Sequence, residues 1–530
     1  MPNHFSFQPD FRLPLPNVDA PKEFLEKRAL YETIDDMLKR SGADERFVSL
    51  AIEQADEKRK ARLNTAEAAE RGEADKDIEV FQPQAKFLEH SFRALRCNIV
   101  RFLEKNMPVR ELSNRLADSH LFQWFCHIGN FGTIKVPSKS TLDRYLRWID
   151  KEKIESLIVD VLQCASSTKG AGEDGHQRMG LAKAIDLGEV WHDTTCLKAD
   201  IHFPTDWVLL IDATRTLMLA TILIRNAGLK NRMPQSPEAF LREMNKLGIA
   251  MSQQRRQADS KTKRKKILRS IKQLVKRIEG HARKHLELLE NHWEETDLSQ
   301  GSAVQIIERI KAILVQLPQA RKQAHERIIG ERQVPSKEKI LSLYDESINV
   351  LVRGKLGREV EFGNGMLLAE QREGLIIDWL LNEDNVADVN LLLPSIDRIH
   401  ERFGKVVEKN GGDRGFHSEA NDKGLAERGI ESHLCPRDID KLREKMKDAE
   451  FAASQKRRSQ TEGRVSILTR RFLGTPLRAK GFSNREQCVH WAVLTHNLWV
   501  LARMRLEQEK EKQREEEKEQ ARNGRRKQLA

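Results

Sequence analysis

Apolar residues recur along this chain with two different periods, and the change between them orders the reading. Phe92, Leu95, Ile99, Phe102 and Leu103 follow three- and four-residue steps, which place them on one face of a helix. Pro108 opens a second helix carrying Val109, Leu112 and Leu116, where a helix start tolerates proline. After Leu121–Phe125 and a glycine-containing loop, Ser138 or Ser140 is placed to cap a third helix. That helix sets Lys139, Arg144 and Arg147 beside Leu142, Tyr145, Leu146 and Trp148. Leu187–Thr195 reads as a strand ending in the carboxylate of Asp193. Helical spacing resumes at Trp207 and continues, with interruptions, to about Val352. Within it Ile267, Ile271, Leu274, Ile278, His285 and Leu289 sit at or near heptad positions.

After Gly354 the period falls to two. Val360–Gly363, Met366–Ala369 and Leu375–Leu380 predict two or three strands with tight turns. Pro394–Phe403 reads as a helix and Lys405–Val407 as a short strand, with Asp413 in the loop after it. Helices are expected over Asp438–Ser454 and Glu462–Phe472, and a buried one over Glu486–Met504. Five regions follow: a helical, charged N-terminal segment (1–84), a helical domain of helix-turn-helix character (85–165), an α/β domain split between 185–206 and 354–504, a helical insertion (207–353) and a charged tail (505–530), frayed or disordered. The run Glu53–Asp77 mixes acids, bases and alanines as a solvated helix or linker would. Trp207–Ile224 is apolar but interrupted by Asp212 and Arg215, so it reads as a buried helix and no membrane span is expected.

Charge sharpens this picture. The chain has 92 Lys+Arg against 80 Asp+Glu, a net +12, which points to polyanionic partners. Thirteen Lys or Arg and only two acids (Asp259, Glu279) fall between Arg255 and Lys284, so one helical stretch holds nearly the whole surplus. A solvated coiled coil mixes signs; this stretch, with Lys263, Arg264, Lys265 and Lys266 at its head, reads as a docking surface for phosphates. The capped basic helix with Lys139, Arg144 and Arg147 suits a reader of DNA sequence. Six scattered cysteines, with no CxxC, argue against a disulfide scaffold or structural zinc and for a reducing cytoplasm.

Three carboxylates stand out by position: Asp193 at a strand end, Asp413 opening Asp413-Arg414-Gly415-Phe416, and Glu462 near the start of a basic helix. Two like charges about 4 Å apart repel by roughly 4 kcal/mol at an effective dielectric of about 20. Divalent cations reverse that sign, and oxygen-only ligands with open positions suit Mg²⁺ or Mn²⁺. Asp200, Asp206 and Asp212 are alternatives to Asp193; Asn421 reads as a helix cap and Asp388 as a structural residue.

Around these acids the chain resembles insertion-sequence transposases of the DDE class. Asp193-Thr194-Thr195 and Pro204-Thr205-Asp206 are similar to that family's first motif, and Glu361-Phe362-Gly363 with Gly374-Leu375-Ile376 to its strand pair. Asp413-Arg414-Gly415-Phe416-His417-Ser418 followed by Asn421, and Arg458 followed by Glu462-Gly463-Arg464, resemble the second and third motifs, and His496-Asn497-Leu498 the last helix. Phe122-Gln123-Trp124-Phe125 and Ser140-Thr141-Leu142 resemble the N-terminal domain. The sequence departs from the family at Gln455, where many relatives have Tyr, and at Thr469, where Lys is common.

The resemblance implies an α+β or α/β chain with a ribonuclease-H-like mixed sheet, preceded by an all-α domain and interrupted by a long basic helical insertion. It implies Asp193, Asp413 and Glu462 as catalytic residues and as ligands of two Mg²⁺ (or Mn²⁺) ions, with Arg458, Arg464 and Arg470 on DNA. The expected activity is metal-dependent cleavage and strand transfer at terminal inverted repeats of a bacterial insertion sequence. Its partners would be double-stranded DNA and a second copy of the chain, in the cytoplasm and on the nucleoid. The alternatives are an inactive DNA-binding remnant and a nuclease without strand transfer.

Overall fold

The structure is a computed structural model, and it describes residues 14–63, 82–129, 132–168, 171–201, 203–254, 259–335, 338–355 and 358–529. Arg255, Arg256 and residues 64–77 of the charged run lie outside the described residues. The chain is a mixed α+β protein with one mixed sheet of six strands. Contacts divide it into two units: 1–198 with 365–479 and 483–530, and 199–364 with 480–482.

In chain order the elements are α1 (Lys22–Arg40), α2 (Ala43–Leu63), α3 (Ala85–Leu103), α4 (Val109–Asp118), α5 (His120–Phe125), α6 (Lys139–Leu146), α7 (Lys151–Ser166), the single turn α8 (Gly175–Arg178) and β1 (Glu189–Lys198). The second unit holds α9 (Asp206–Asn226), α10 (Pro237–Gln253), α11 (Ser260–His292), α12 (Gln300–Ala324) and β2 (Asn349–Lys355). The strand β3 (Arg358–Gln371) runs out of that unit into the first. There follow β4 (Ile376–Leu381), α13 (Leu392–Phe403), β5 (Lys409–Gly412), α14 (Glu419–Glu427), β6 (Glu431–Leu434), α15 (Ile439–Lys445), α16 (Ala449–Ile467) and α17 (Phe482–Leu529).

The sheet has the order β2-β3-β1-β5-β6, with β4 also paired to β3. β1, β5 and β6 are parallel neighbours, and β3 is antiparallel to both β2 and β4. In the first unit α16 covers one face of β1 and β5, through a 3.3 Å hydrogen bond from Trp191 Nε1 to Ser454 Oγ. α13 covers the other, where His192 Nε2 and Ser395 Oγ are 2.9 Å apart. The core of this unit is α17, in which every residue from Gln487 to Ala502 is buried; a helix apolar all round has to be enclosed. In the second unit α9 plays that part, burying Leu209, Leu210, Ala213, Leu217 and Ile224 among α10, α11 and α12. Among the described residues α9 alone is long and apolar enough to cross a membrane, and 61% of that window is buried.

Several boundaries differ from the sequence expectation, each for a tertiary reason. β1 continues to Lys198, so Asp193 lies in mid-strand rather than at the strand end. The fifth strand is Lys409–Gly412, not Lys405–Val407. Its glycines disfavour a strand by propensity, but Gly411 pairs with Trp191, and a Cβ there would fall 2.6 Å from Trp191 Nε1. Val360–Ala369 forms one strand, and Asn349–Val352, expected to be helical, is the strand that pairs with its first half. The expected helix over Asp438–Ser454 is broken by the cap of Asp448 on Glu450 N (2.8 Å). α16 then runs through Arg457–Gly463, so Glu462 sits within a helix and not near its start. The charged tail continues α17 as helix to Leu529. Ser138, not Ser140, caps α6. α4 and α6 pack together, but α5 and the segment 126–138 separate them in sequence, so no tight turn joins them.

Gly411→Ala is expected to lower the chemical-denaturation midpoint, with a cost of about 1–3 kcal/mol from overpacking against Trp191. A second expectation concerns pH. His496 on α17 is fully buried and stacked near Phe472 and Trp499, with Nε2 unpartnered among the described residues. Burial first, then Arg464 and Arg471, hold its imidazole down to about 4 against the hydrogen bond with Asn497. The unfolded chain takes up this proton near 6.5 and the folded chain does not until about 4. Stability therefore falls as pH drops through that window, by up to about 1.4 kcal/mol per unit. His496→Leu should remove that increment from the slope of unfolding free energy between pH 6.5 and 4.

Candidate active site

Asp193 and Asp413 come together through strand register. The last pair in the β1–β5 ladder is His192↔Gly412, so the next residue along β1 is Asp193 and the first residue past the end of β5 is Asp413, where neighbouring strands run about 4.8 Å apart. Side chains alternate along a strand, so Asp193 shares the face of Trp191, under α16, while His192 points to the opposite face. Both carboxylates are partly exposed. Asp193 accepts from Thr194 N at 2.8 Å, and Asp413 from Gly415 N at 2.8 Å.

The segment that carries Asp413 is built residue by residue. Asp413 closes its own turn on Gly415, and Phe416 is fully buried. Ser418 caps α14 through Asn421 N at 3.1 Å. Asn421 is therefore not the cap: its Nδ2 donates to Phe416 O at 2.7 Å and to Val389 O at 2.9 Å, tying the turn to the segment before α13. That tie brings Asp388 alongside. A Cβ on Gly415 would stand 2.7 Å from Asp388 Oδ2 and 2.9 Å from Asp413 Oδ1, so both carboxylates lie against this glycine and a side chain there would push them aside. Sequence reading took Asp388 as structural; the Asn-Val-Ala-Asp stretch gives no signal that it faces Asp413.

On the far side of Asp413 lies an open cleft of about 420 Å³, lined by Arg414, Cys435, Leu442, Met446, Gln455 and Arg458 besides Asp413. Gln455 is fixed by a 2.7 Å bond from Nε2 to His433 O on β6. Glu462, one turn beyond Arg458, is exposed, and its carboxylate lies 3.9 Å from Arg458 Nη1. Among the described residues no three His, Cys, Asp or Glu side chains stand close enough together to hold a metal ion. Asp193 and Asp413 supply hard oxygen donors at the end of the β1–β5 ladder, which fit Mg²⁺ or Mn²⁺ as the first half of such a site.

Beneath the two acids, on the α13 face, runs a closed polar chain. Asn410 Nδ2 donates to His192 Nδ1 (2.8 Å), so Nε2–H donates to Ser395 Oγ (2.9 Å), which donates to Asp378 Oδ2 (2.5 Å). Asp378 is fully buried and held by Arg398 at 2.6 Å and Arg402 at 2.7 Å. Burial holds His192 down to about 4, so it stays neutral as a spacer between β1 and α13. This chain fixes β1 against β5 one residue before the acids.

The remaining candidates are dispersed. In the first unit Lys139 and Arg144 are exposed on α6, and Arg147, just after it, is exposed and donates to Asn484 Oδ1 at 3.1 Å. Arg458 lines the cleft, Arg470 is exposed, and Arg464 turns inward to lie 3.6 Å from the buried Glu370. Thr469 bonds back to Val465 O at 2.9 Å within its own helix. In the second unit Lys263 and Lys266 are exposed, Arg264 is half-buried, and Lys265 is paired with Glu331 at 2.8 Å. Asp206 is engaged by Gln323 (2.8 Å) and Arg327 (2.9 Å) and holds α12 to the start of α9.

The chain matches no protein-family model, no curated protein and no solved structure.

Proposed function

We propose that this chain is a DNA-cleaving and strand-transferring enzyme of the DDE transposase class, with a ribonuclease-H-like catalytic domain built on β1, β3, β4, β5 and β6. The observation that carries the reading is that Asp193 on β1 and Asp413, the first residue past β5, each follow the last paired residues of two parallel neighbours, beside the helix that bears Arg458 and Glu462. A mixed sheet with parallel strands on one side of β1 and antiparallel β3 and β4 on the other supports it.

In this reading Asp193 and Asp413 would hold the divalent ions, and Glu462, which lies 3.9 Å from Arg458, would be the third ligand. The bound ions would supply activation of the attacking oxygen and neutralisation of the leaving one. The chain's own groups do the positioning. The His192 chain keeps the two acidic strands in register, and Arg458 and Arg414 line the cleft beside Asp413, where a phosphate would be neutralised. Exposed Lys139, Arg144 and Arg147 are the candidates for base contact, and the outward face of α11 for backbone contact. The observation favouring the second reading, an inactive DNA-binding remnant, is the contact of Glu462 with Arg458 in place of the other acids.

Glu462→Gln should abolish Mg²⁺-dependent nicking of supercoiled plasmid while changing DNA affinity by less than about twofold, since one charge is altered at most. Retained cleavage by the purified variant removes Glu462 from the site; no cleavage by the wild type, with binding intact, supports the remnant. The basic helix gives a second expectation. Each phosphate neutralised contributes about −0.9 to the slope of log K against log salt. Lys263→Ala with Lys266→Ala should flatten that slope by up to about 1.8 on specific and random DNA alike. Adding Lys265→Ala should change it little, because Glu331 already engages that ammonium. An unchanged slope in the double variant would mean that this face of α11 does not meet DNA.

A further inference from the structure

Glu370, near the end of β3, is 2% exposed, and the mechanism above does not use it. Its Oε1 accepts from Arg457 Nη2 at 2.7 Å and lies 3.6 Å from Arg464 Nε. The two arginines are seven residues apart on α16, two turns on one side of the helix, with buried Thr461 between them. Arg457 also donates to Arg372 O at 2.9 Å, and its guanidinium sits 4.6 Å from the Trp191 ring centre. Arg464 fills the place a side chain at Gly374 would need: a Cβ there would fall 2.9 Å from its Nε and closer to the rest of the guanidinium. One carboxylate thus grips two turns of α16, and the glycine turn after β3 leaves room for the second arginine.

We infer that Glu370 is a positioning residue for the candidate active site: it fixes the rotation of α16 about its own axis and so decides where Arg458 and Glu462 face. Gln455, Arg458 and Glu462 form a second stripe, roughly a third of a turn around the helix from the Arg457–Arg464 stripe. The buried face of α16 between them is small: Phe451, Ser454, Thr461 and Val465. Such a face tolerates slip. A 30° rotation at a side-chain radius of about 5–6 Å moves a carboxylate by roughly 3 Å, more than a metal–oxygen bond of about 2 Å can absorb. A buried ion pair adds little net stability over apolar packing, but two guanidinium groups on one fixed oxygen permit a single rotation. The inference rests on the active-site reading for its consequence, though not for the clamp itself.

The test compares Glu370→Gln, which removes the charge, with Glu370→Asp, which keeps it, in the full chain. Amide hydrogen exchange by mass spectrometry reads the clamp without reference to activity. In Glu370→Gln, peptides covering 455–467 should exchange roughly tenfold faster, while 488–502 in the core helix keeps its wild-type rate. In parallel, plasmid nicking at saturating DNA should fall by about 10- to 100-fold, the range seen when support for a ligand is removed. The Mg²⁺ concentration giving half the maximal rate should rise, DNA affinity should hold, and Glu370→Asp should retain most of the rate. Unchanged exchange over 455–467 overturns the proposal, as does loosening of 488–502 to the same degree, which would mark a general stability role. Wild-type nicking and Mg²⁺ dependence in Glu370→Gln overturn it too. A wild type that nicks nothing defeats the active-site reading instead, and exchange still decides whether Glu370 holds α16.

Discussion

Trp191 requires a glycine across from it. Its indole lies where any side chain at Gly411 would have to go, donates to Ser454 on α16, and is covered on its face by the Arg457 guanidinium. Three elements are thereby fixed to one ring: β1 by carrying it, β5 by yielding space, and α16 by hydrogen bond and cation–π contact. The site acids are the next residues along the chain after the last β1–β5 pair, and Arg458 and Glu462 lie on the helix. The placement of the candidate chemistry follows from a packing constraint two residues away from it.

Charge is handled in opposite ways in different parts of the chain. Inside the first unit, ionic groups are closed on one another: Asp378 between Arg398 and Arg402, Arg96 between Asp35 and Asp44, Glu370 beneath Arg457 and Arg464. Burial makes an unmatched charge costly, so each carboxylate is paired with a guanidinium, and each set joins elements distant in sequence. On α11 the apolar residues Leu268, Ile271, Leu274, Val275 and Ile278 are buried, and most of the lysines and arginines remain on the solvent side. Glu331, Glu243 and Glu279 compensate part of them, at Lys261, Lys265, Arg277 and Arg283. The exposed positive charge of this helix is what the proposal of a phosphate partner rests on.

The Asp413 segment shows how far a motif can have a local explanation. Gly415 leaves room for the two flanking carboxylates, Phe416 fills the core, Ser418 caps the helix N-terminus, and Asn421 bonds two carbonyls. These needs account for Gly415, Phe416, Ser418 and Asn421, while Asp413 and Arg414 line the cleft. The residues left over once folding has been accounted for are the ones for which chemistry has to be sought.

By itself the sequence determined the things that depend on near neighbours. Periodicity marked the helices from Phe92 to Trp148 and the buried α9 and α17, and Ser138 and Ser140 marked a cap that the structure gives to Ser138. Composition located the basic stretch that forms α11, while Asp193, Asp413 and Glu462 were only candidates, drawn from position and a family resemblance. Tertiary structure alone decided where β5 begins, because Gly411 and Gly412 form a strand only against Trp191 and Leu434. It also decided that the helix bearing Glu462 begins at Ala449 rather than near Glu462, with Arg457, Thr461 and Arg464 held by Glu370, some ninety residues earlier in the chain. It placed Asp388 beside Asp413 and turned Glu462 towards Arg458. In each case the deciding contact joins residues far apart in sequence, where neither propensity nor spacing carries any information.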